Sequence, residues 1–260
     1  MTYRPREFWE QRLSEHFDLR GSGETGLSLA YNRACYALRR SVLDRALGKA
    51  GMHPAGKRVL DVGCGTGFFT DYYLGRGAQV TGLDITSASI ERLRARFPRA
   101  RFVLADVSEA ALEERYDVVN AFDVLYHITD DDRWGAAVRN LAAAVAPSGV
   151  LLVTDLFSRL GRLAEHNRVR PLDAYEDLLS AAGLEITGLY PTHVLLNRDL
   201  KALRFLNRVP WFLLVADRFL LGLGLRFESD PLVNRLLVAG HSRTGKAPRA
   251  TSYSAVGGRA

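Results

Sequence analysis

Cysteine is scarce in this sequence, which has only two, Cys35 and Cys64, in 260 residues. Two cysteines cannot build a disulfide framework, and this pair lacks the spacing of metal ligands. The first residues, MTYRPREFWEQ, also contain no apolar stretch of the kind found in secretory signals. We therefore expect a reducing, cytoplasmic setting.

Long hydrophobic runs are absent as well. The most apolar stretch, 211–227, is interrupted by Asp217 and Arg218. No run approaches the ~18–20 apolar residues that a helix needs to cross a bilayer. The sequence therefore argues against an integral membrane protein.

Acidic residues are missing from segment 242–260, which holds four basic residues of a chain whose net charge is +6. The rest of the chain is nearly neutral, so no general surface for phosphate backbones is indicated and we expect no nucleic-acid partner. The segment also offers few apolar residues to bury, and we expect it to be disordered.

Between residues 58 and 157, short runs rich in Val, Leu and Phe alternate with longer amphipathic segments. This alternation predicts an α/β fold with a doubly wound, mostly parallel sheet. The predicted helices cover 66–74, 86–97, 131–145 and 172–182, with Thr86 as an N-cap and Asp130, Asp131 and Asp132 capping the third helix. A sixth strand is predicted at 184–190 and a last strand at 232–241.

Two segments lie outside this alternation. Residues 1–50 have helical periodicity with a glycine-rich break, so they predict an N-terminal helical cap on a main domain at 51–241. Segment 197–228 interrupts the main domain with Leu, Phe and Trp interleaved with Arg. It fits a substrate lid, a dimer face, a membrane-surface helix, or a helical hairpin packed on the sheet with its arginines extended to solvent.

Three glycines at alternate positions follow the first strand, in the segment DVGCGTG at 61–67. Glycines at the start of a helix allow a ligand to lie against the backbone. The dinucleotide pattern G-x-G-x-x-G would need its third glycine at Phe68, so that class is disfavoured. Asp84 and Asp106 close the second and third strands, and carboxyl ends of parallel strands share one crevice.

These segments together resemble the class I S-adenosylmethionine-dependent methyltransferases. DVGCGTG at 61–67, LDI at 83–85, ADV at 105–107 and NAFDVLYHITDDD at 120–132 are similar to four successive motifs of that family. The resemblance implies a Rossmann-like sheet of seven strands with an antiparallel last strand, and S-adenosylmethionine as the cofactor.

The resemblance also implies a set of cofactor contacts. It places the glycines beside the methionine part, Asp61 near its amine, Asp84 on the ribose, Asp106 with Val107 at the adenine, and Phe122 near the sulfonium. The predicted set is Asp61, Gly63, Gly65, Thr66, Gly67, Asp84, Ile85, Asp106, Val107 and Phe122. Among the cap residues Trp9, His16, Tyr31, Asn32 and Tyr36, we add Tyr31 as a contact from the lid.

The segments FDVLYHITDD and SAAGLEI resemble the small-molecule O-methyltransferase branch, which includes quinone methyltransferases. Enzymes that methylate nucleobase or glutamine nitrogens carry [ND]-P-P-[YF] where this chain has NAFD at 120–123. Pyrimidine C5 methylation needs a cysteine nucleophile, and no cysteine follows Cys64. A hydroxyl on a small organic molecule is the simplest remaining acceptor.

A hydroxyl acceptor calls for a base, because its proton must leave. The candidates are His127 after the fourth strand, His166 in the loop after the fifth, and Asp155 at the end of the fifth strand. His127 can equally be a histidine that bonds the backbone or lines the cofactor site. We expect no metal.

The acceptor itself is left open by the sequence. Loops 123–132, 156–172 and 191–230 would select it, and their aromatic residues suggest an apolar or aromatic-tolerant pocket: Tyr126, Phe157, Tyr190, His193, Trp211 and Phe212. Two alternatives stand beside the cytoplasmic enzyme. One is a membrane-peripheral quinone or lipid methyltransferase that uses 197–228, and the other is a non-catalytic, cofactor-binding partner subunit. The oligomeric state is not indicated.

Overall fold

A seven-stranded sheet forms the centre of the protein. The computed structural model describes residues 3–196, 201–223 and 230–241. The strands of the sheet are β1 (Arg58–Val62), β2 (Gln79–Asp84), β3 (Arg101–Leu104), β4 (Tyr116–Phe122), β5 (Val145–Asp155), β8 (Leu184–Pro191) and β9 (Arg235–His241), and their order is β3-β2-β1-β4-β5-β9-β8. β9 runs antiparallel to both of its neighbours. The predicted doubly wound sheet with an antiparallel last strand is confirmed.

Seven α-helices accompany the sheet. They are α1 (Pro5–Glu15), α2 (Leu29–Lys49), α3 (Phe68–Leu74), α4 (Ser87–Arg96), α5 (Asp131–Ala143), α6 (Leu172–Ala181) and α7 (Pro210–Gly222) within the described residues. The predicted caps at Thr86 and Asp130 are present, since the Thr86 hydroxyl accepts the Ser89 N–H and the Asp130 carboxylate accepts the Arg133 N–H. Asp131 and Asp132, also predicted as caps, lie inside the first turn of α5. α3 begins two residues later than predicted because Gly65 and Gly67 have positive φ, which a right-handed helix does not allow.

One structural element, a short hairpin, was not predicted from the sequence. The loop after β5 contains a short antiparallel hairpin of β6 (Arg162–Ala164) and β7 (Asn167–Arg168). These strands are two or three residues long and carry no apolar alternation, which is the signal that a strand prediction needs. The hairpin brings His166 to its turn, close to the ends of the central strands.

Apolar side chains cover both faces of the sheet. Val59 and Val118 pack with α2, α3 and α7 on one face, whereas Leu60 and Val119 pack with α5 and α6 on the other. Successive strand residues alternate between faces, so adjacent positions in β1 and β4 contribute to two separate cores. The central strands are therefore buried on both sides, as a parallel sheet requires.

The described part of the insertion, 201–223, packs on the N-terminal cap. Leu213 and Leu221 of α7 join the same core as α2. The buried carboxylate of Asp217 accepts the backbone N–H groups of residues 194, 195 and 196 at 3.0, 2.8 and 2.9 Å. α7 is thus anchored from its inner side by both apolar and polar contacts.

Two other expectations concern membranes and the C-terminal segment. Among the described residues, no helix is both long and apolar enough to cross a membrane. Residues 242–260, which we expected to be disordered, lie outside the described residues, as do 197–200 and 224–229 of the insertion.

Asp155 joins β5 to α6 inside the fold. Its carboxylate accepts the Tyr175 hydroxyl and, at 2.6 Å, the backbone N–H of Leu156, and the side chain has no exposed surface. Tyr175 in turn accepts the Trp134 indole N–H at 3.3 Å. Burial raises the pKa of Asp155 to about 7, because the ionised form loses its hydration there.

We predict that this pKa makes Asp155 a source of pH-dependent stability. An unfolded aspartate titrates near ~3.9, so between about pH 4 and 7 the native state binds more protons than the unfolded state. The free energy of unfolding of the wild type, relative to Asp155→Asn, should therefore fall as pH rises through this window and level off above it. The slope should approach ~1.4 kcal/mol per pH unit in denaturant titrations. A difference between the two proteins that is independent of pH would contradict this assignment.

Candidate active site

A cavity opens at the carboxyl ends of β1, β2 and β4, where the sequence pattern placed the ligand crevice. The predicted residues that line it are Gly63, Gly65, Thr66, Asp84, Ile85, Asp106, Val107, Phe122 and His127. The predicted residues that do not line it are Asp61, Gly67, Tyr31, His166 and Asp155. We call this space the main cavity.

The glycine loop forms one wall of the main cavity. Gly65 has φ +49, and a Cβ there would have Ser22 Cβ, at 3.4 Å, as its nearest neighbour. Its backbone N–H donates to Asp84 Oδ2 at 2.8 Å, while Asp84 Oδ1 accepts the N–H and hydroxyl of Thr86. These bonds use three of roughly four acceptor positions of the carboxylate and leave one on Oδ2. Burial raises the pKa of Asp84.

Gly67 and Asp61 belong to the glycine motif but do not line the main cavity, and their contacts support the fold beneath it. A Cβ at Gly67 would lie 2.5 Å from Leu93 Cδ2, so this glycine lets α4 approach the loop. Asp61 is buried and accepts hydrogen bonds from Thr70 Oγ1 at 2.7 Å and Asn120 Nδ2 at 2.8 Å. Burial raises the pKa of Asp61 to about 6. Asp61 therefore holds α3 and β4 to β1.

Asp106 also has partners that the sequence did not indicate. Its Oδ1 accepts the N–H and the hydroxyl of Ser108, at 2.8 and 2.6 Å, and its Oδ2 pairs with Arg133 at 2.7 Å. Arg133 comes from the first turn of α5 and lines the main cavity. α5 begins 25 residues after Asp106 in the chain, so no local sequence pattern predicts this ion pair.

The N-terminal cap closes over the main cavity. Pro5, Trp9 and Leu13 of α1 line it, together with Ser22 and Tyr36. The carboxylate of Glu10 accepts the N–H groups of Ser87 and Ala88 at 2.7 and 2.9 Å, in the first turn of α4. A carboxylate at a helix N-terminus is stabilised by the unpaired N–H groups and the helix dipole. Glu10 thus fastens α1 to the helix that follows Asp84.

The loop between α1 and α2 touches the glycine loop directly. Ser22 Oγ lies 3.1 Å from Thr66 Oγ1, and the Tyr36 hydroxyl donates to the carbonyl of Ser22 at 2.8 Å. Tyr31 and Tyr36 both pack in the hydrophobic core, but only Tyr36 also lines the main cavity. His16 is also absent from the cavity wall.

His127 stands at the end of β4 with a defined tautomer. Its Nδ1 lies 3.0 Å from the carbonyl oxygen of His166. A carbonyl can only accept, so Nδ1 carries the proton of the neutral ring and Nε2 keeps its lone pair. Burial lowers the pKa of His127 to about 4, so the ring is neutral at physiological pH.

Aromatic rings from α1 hold the two histidines together. The rings of His127 and His166 are parallel within 14° at a centroid distance of 5.7 Å. The ring of Phe8 stacks on the ring of His166, with a centroid distance of 5.0 Å. The rings of Trp9 and His127 pack in a T-shaped arrangement, with a centroid distance of 4.7 Å. Burial lowers the pKa of His166 as well.

Asp123 follows β4 in a conformation that is unusual for a residue with a side chain. Its φ is +57, a region that costs free energy and that persists where the surroundings enforce it. Its carboxylate accepts hydrogen bonds from Thr154 Oγ1 at 3.0 Å and Asn234 Nδ2 at 3.3 Å, and pairs with Arg39 at 2.7 Å. Sequence reasoning missed both Asp123 and Arg39.

A second, smaller cavity of about 110 Å³ adjoins the main one. Both cavities are lined by Trp9, Ser22, Asp123 and His127. The remaining lining residues of the second cavity are largely polar: Arg12, Gly23, Glu24, Asn32, Cys35, Arg39, Tyr126, His166 and Asn167. We call this space the polar chamber.

The aromatic residues that we expected to select the acceptor are dispersed. Tyr126 lines the polar chamber. Phe157 packs edge-on against Tyr175 in the core, and His193 is buried beside Thr192. Trp211 and Phe212 are exposed on α7, and Tyr190 packs at the edge of the core. Of these residues, only Tyr126 lines either cavity, although the main cavity is itself rich in apolar and aromatic side chains, among them Trp9, Phe68, Phe69 and Phe122.

Metal ligands do not cluster in the part of the chain described here. No group of three or more His, Cys, Asp or Glu side chains within 3–196, 201–223 and 230–241 has an arrangement that could hold a metal ion.

Comparison with known proteins agrees with the observed fold. A methyltransferase domain family matches residues 30–189. The malonyl-[acyl-carrier protein] O-methyltransferase of Serratia marcescens is 33% identical over 124 residues, which are 47% of this chain and 47% of that protein. The ubiquinone biosynthesis O-methyltransferase of Rhodopseudomonas palustris strain BisA53 is 32% identical over 106 residues, 39% of this chain and 41% of that protein. The chain thus spans less than half the length of these relatives.

Solved structures show the same fold at low identity. The magnesium protoporphyrin IX methyltransferase from Synechocystis PCC 6803 was crystallised with S-adenosylmethionine. It superposes with a TM-score of 0.60 at 16% identity, and the match covers 92% of this chain and 98% of that protein's chain. The 1,6-didemethyltoxoflavin N1-methyltransferase of Burkholderia thailandensis has a TM-score of 0.52 at 22% identity, over 82% of this chain and 78% of its own. Because the family match covers more than half of the sequence and the sheet topology agrees with it, the chain belongs to the methyltransferase domain family, with the class I S-adenosylmethionine-dependent methyltransferase fold that its motifs predicted.

Proposed function

We propose that this methyltransferase transfers a methyl group from S-adenosylmethionine to a hydroxyl of a small organic acceptor, with His127 as the general base. The observation that carries the proposal is the position of His127. Its neutral ring lines both the main cavity and the polar chamber, with Nδ1 fixed by a carbonyl and Nε2 available to accept a proton. A base must lie within reach of the proton that it removes, and this boundary is where an acceptor would meet the cofactor.

The main cavity fits the cofactor in one orientation. Gly65 lines the main cavity without a side chain, which leaves its backbone accessible to the methionine part. Asp84 has one acceptor position left for a ribose hydroxyl, so we assign it one hydroxyl rather than two. Asp106 and Val107 line the end where the adenine would lie, beside Arg133.

When bound, S-adenosylmethionine supplies a methyl group on a sulfonium, which is electrophilic without further activation. The chain then has three tasks: to align the acceptor, to exclude water and to take the hydroxyl proton. Trp9 of α1 covers the boundary between the two cavities. His127 Nε2 takes the proton. Burial is the main cost of the cationic ring that results, and the hydrogen bond from Nδ1 to the His166 carbonyl and the negative charge of Asp123 offset part of that cost.

The relatives support oxygen as the acceptor atom. Two curated relatives are named O-methyltransferases, although each match covers less than half of the relative. The neutral base agrees with this chemistry, because a hydroxyl must lose a proton. A non-catalytic, cofactor-binding subunit would bind the cofactor with no turnover.

The outer surface of α7 favours a second candidate, a methyltransferase that works at a membrane surface. Seven of the eleven large hydrophobic residues that are exposed in the described chain lie within 205–223: Phe205, Val209, Trp211, Phe212, Val215, Phe219 and Leu223. Trp211, Val215 and Phe219 recur every fourth residue, so they share one face of α7. Exposed Arg208 and Arg218 add positive charge, as in helices that bind anionic lipid surfaces.

We predict that Gly65→Ala weakens S-adenosylhomocysteine binding about tenfold or more, because Gly65 lines the main cavity and an added methyl group, 3.4 Å from Ser22 Cβ, would narrow the space at the glycine loop. Gly183→Ala is the matched control, since Gly183 also has positive φ and no atom within 4 Å of its Cβ position. Both variants should lose ~1–2 kcal/mol of stability to backbone strain. Calorimetric titration measures the affinity, and equal affinity in the two variants would exclude the glycine loop from the site.

Asp84→Ala should abolish binding of both S-adenosylmethionine and S-adenosylhomocysteine, because it removes the ribose acceptor and releases the Gly65 N–H. Titration with NADH is the control for the cofactor class. Binding of NADH alone would return the site to the dinucleotide class and reject the proposed function.

His127→Gln should retain the cofactor affinity of the wild type and lose about a hundredfold or more in turnover. His16→Gln is the matched control, because His16 is exposed and lines neither cavity. His166→Ala tests the other candidate histidine, since the backbone carbonyl that holds His127 Nδ1 survives that substitution. Turnover is measured by transfer of labelled methyl from S-adenosylmethionine to an acceptor identified in a screen of hydroxyl compounds. Full activity in both His127→Gln and His166→Ala would show that the base is another group.

The membrane candidate predicts that the protein floats with vesicles of phosphatidylcholine and phosphatidylglycerol. The double variant Trp211→Ser, Phe219→Ser should remain in the soluble fraction. Leu160→Ser with Leu163→Ser is the matched control, because these leucines are exposed to 47% and 45% at another part of the surface. A wild type that does not float rejects this candidate and leaves the soluble enzyme.

A further inference from the structure

An ion pair between Asp106 and Arg133 lies in the wall of the main cavity. Asp106 follows β3, Arg133 lies in the first turn of α5, and both residues line the cavity. Arg133 Nη2 lies 2.7 Å from Asp106 Oδ2 and 3.0 Å from Glu109 Oε1. The side chain of Asp106 is only 11% exposed, whereas that of Arg133 is 47% exposed. Arg133 thus reaches from the protein surface to a carboxylate that faces the cavity.

The hydrogen bonds of Asp106 leave room for one more donor. Its Oδ1 accepts both the N–H and the hydroxyl of Ser108, and its Oδ2 accepts from Arg133. A carboxylate has about four acceptor positions, so one remains, and it is on Oδ2. Because Arg133 binds the same oxygen, a ligand group that donates to Oδ2 would lie beside the guanidinium.

Arg133 has donors to spare at this point. A guanidinium carries five N–H groups in one plane. Both ion pairs of Arg133 use Nη2, and within the described part of the chain Nε and Nη1 have no acceptor. The backbone N–H of Arg133 donates to the Asp130 carboxylate, which fixes the start of the helix that carries it. The ion pair therefore offers one acceptor position and several donors side by side.

Adenine carries the complementary groups on one edge. Its exocyclic amino group donates, and the ring nitrogens N1 and N7 on either side of that group accept. Asn and Gln bind this kind of edge with the one acceptor and the one donor of a single amide. Asp106 and Arg133 present the same combination from two side chains.

We propose that Arg133 is a cofactor-binding residue that donates a hydrogen bond to a ring nitrogen of the adenine, next to the amino group whose hydrogen bond Asp106 accepts. The inference rests on the proposed function, which places the adenine beside Asp106 and Val107. Arg133 lies just beyond the segment 120–132 that resembles the fourth family motif, so the resemblance assigned it no role. Its bond to Oδ2 also holds the Asp106 carboxylate in place for the amino group.

Analogues of S-adenosylhomocysteine test the proposal on the full chain by calorimetric titration. In each analogue a CH group replaces one ring nitrogen, at position 1, 7 or 3 of the adenine. The wild type should bind the 1-deaza or the 7-deaza analogue about tenfold or more weakly than S-adenosylhomocysteine, because a hydrogen bond to a charged group is lost. N3 lies away from the amino group, so the 3-deaza analogue is the control. Any difference that it shows should be the same in the wild type and in the variants.

Two variants of α5 assign the lost hydrogen bond. Arg133→Met keeps an extended side chain but removes the donors, so it should bind S-adenosylhomocysteine about tenfold or more weakly than the wild type. It should also bind the affected deaza analogue as tightly as S-adenosylhomocysteine, since no hydrogen bond is left to lose. Arg139→Met is the matched control, because Arg139 is exposed on the same helix and lines neither cavity. Melting temperatures without ligand verify that both variants fold.

Three results would overturn the proposal. The 1-deaza and 7-deaza analogues could both bind the wild type as tightly as S-adenosylhomocysteine. Arg133→Met could retain the affinity of the wild type. The loss caused by the deaza analogue could persist in Arg133→Met, which would show that Arg133 acts only through Asp106. A wild type that binds neither S-adenosylmethionine nor S-adenosylhomocysteine would instead reject the methyltransferase function itself, so the two failures are distinguishable.

Discussion

The hydrogen bond between Asp61 and Asn120 is the contact on which the site depends. It joins β1 to β4 at the centre of the sheet, and the same two residues bind Thr70 and Tyr73 of α3. A buried carboxylate without partners would cost several kcal/mol, so the partners must be in place when the core forms. Because α3 is held from beneath, the glycine loop between β1 and α3 is fixed at both ends. The cavity wall is thereby shaped before a ligand arrives.

The N-terminal cap completes the site through one helix. Glu10 of α1 binds the first turn of α4, and Arg92 of α4 donates to the carbonyl of Leu13 in return. The same helix brings Phe8 and Trp9 against the two histidines. One helix therefore both covers the main cavity and positions the histidine that we propose as the base. The family match begins at residue 30, so α1 lies outside the matched domain.

The local patterns of the sequence predicted the sheet, the glycine loop and the caps at Thr86 and Asp130, because each depends on neighbouring residues. They did not predict that Asp61 is enclosed in the core or that Tyr31 packs away from the cavity. The pairing of Arg39 with Asp123 was also missed, since 84 positions separate the two residues and no periodicity links them. Long-range contacts of this kind, together with the short β6–β7 hairpin, build the polar chamber. The sequence thus predicted the position of the main cavity, and the folded structure was needed to show the polar chamber beside it.

A crystal structure of the protein with S-adenosylhomocysteine tests the account most directly. The account places the adenine beside Asp106 and Val107 and the sulfur atom at the end of β4, next to Phe122 and Asp123. The sulfur should face the boundary where His127 and Trp9 separate the main cavity from the polar chamber. A sulfur atom at the Asp106 end, or a ligand that leaves His127 on the far side from the sulfur, would contradict the assigned base and the acceptor site together.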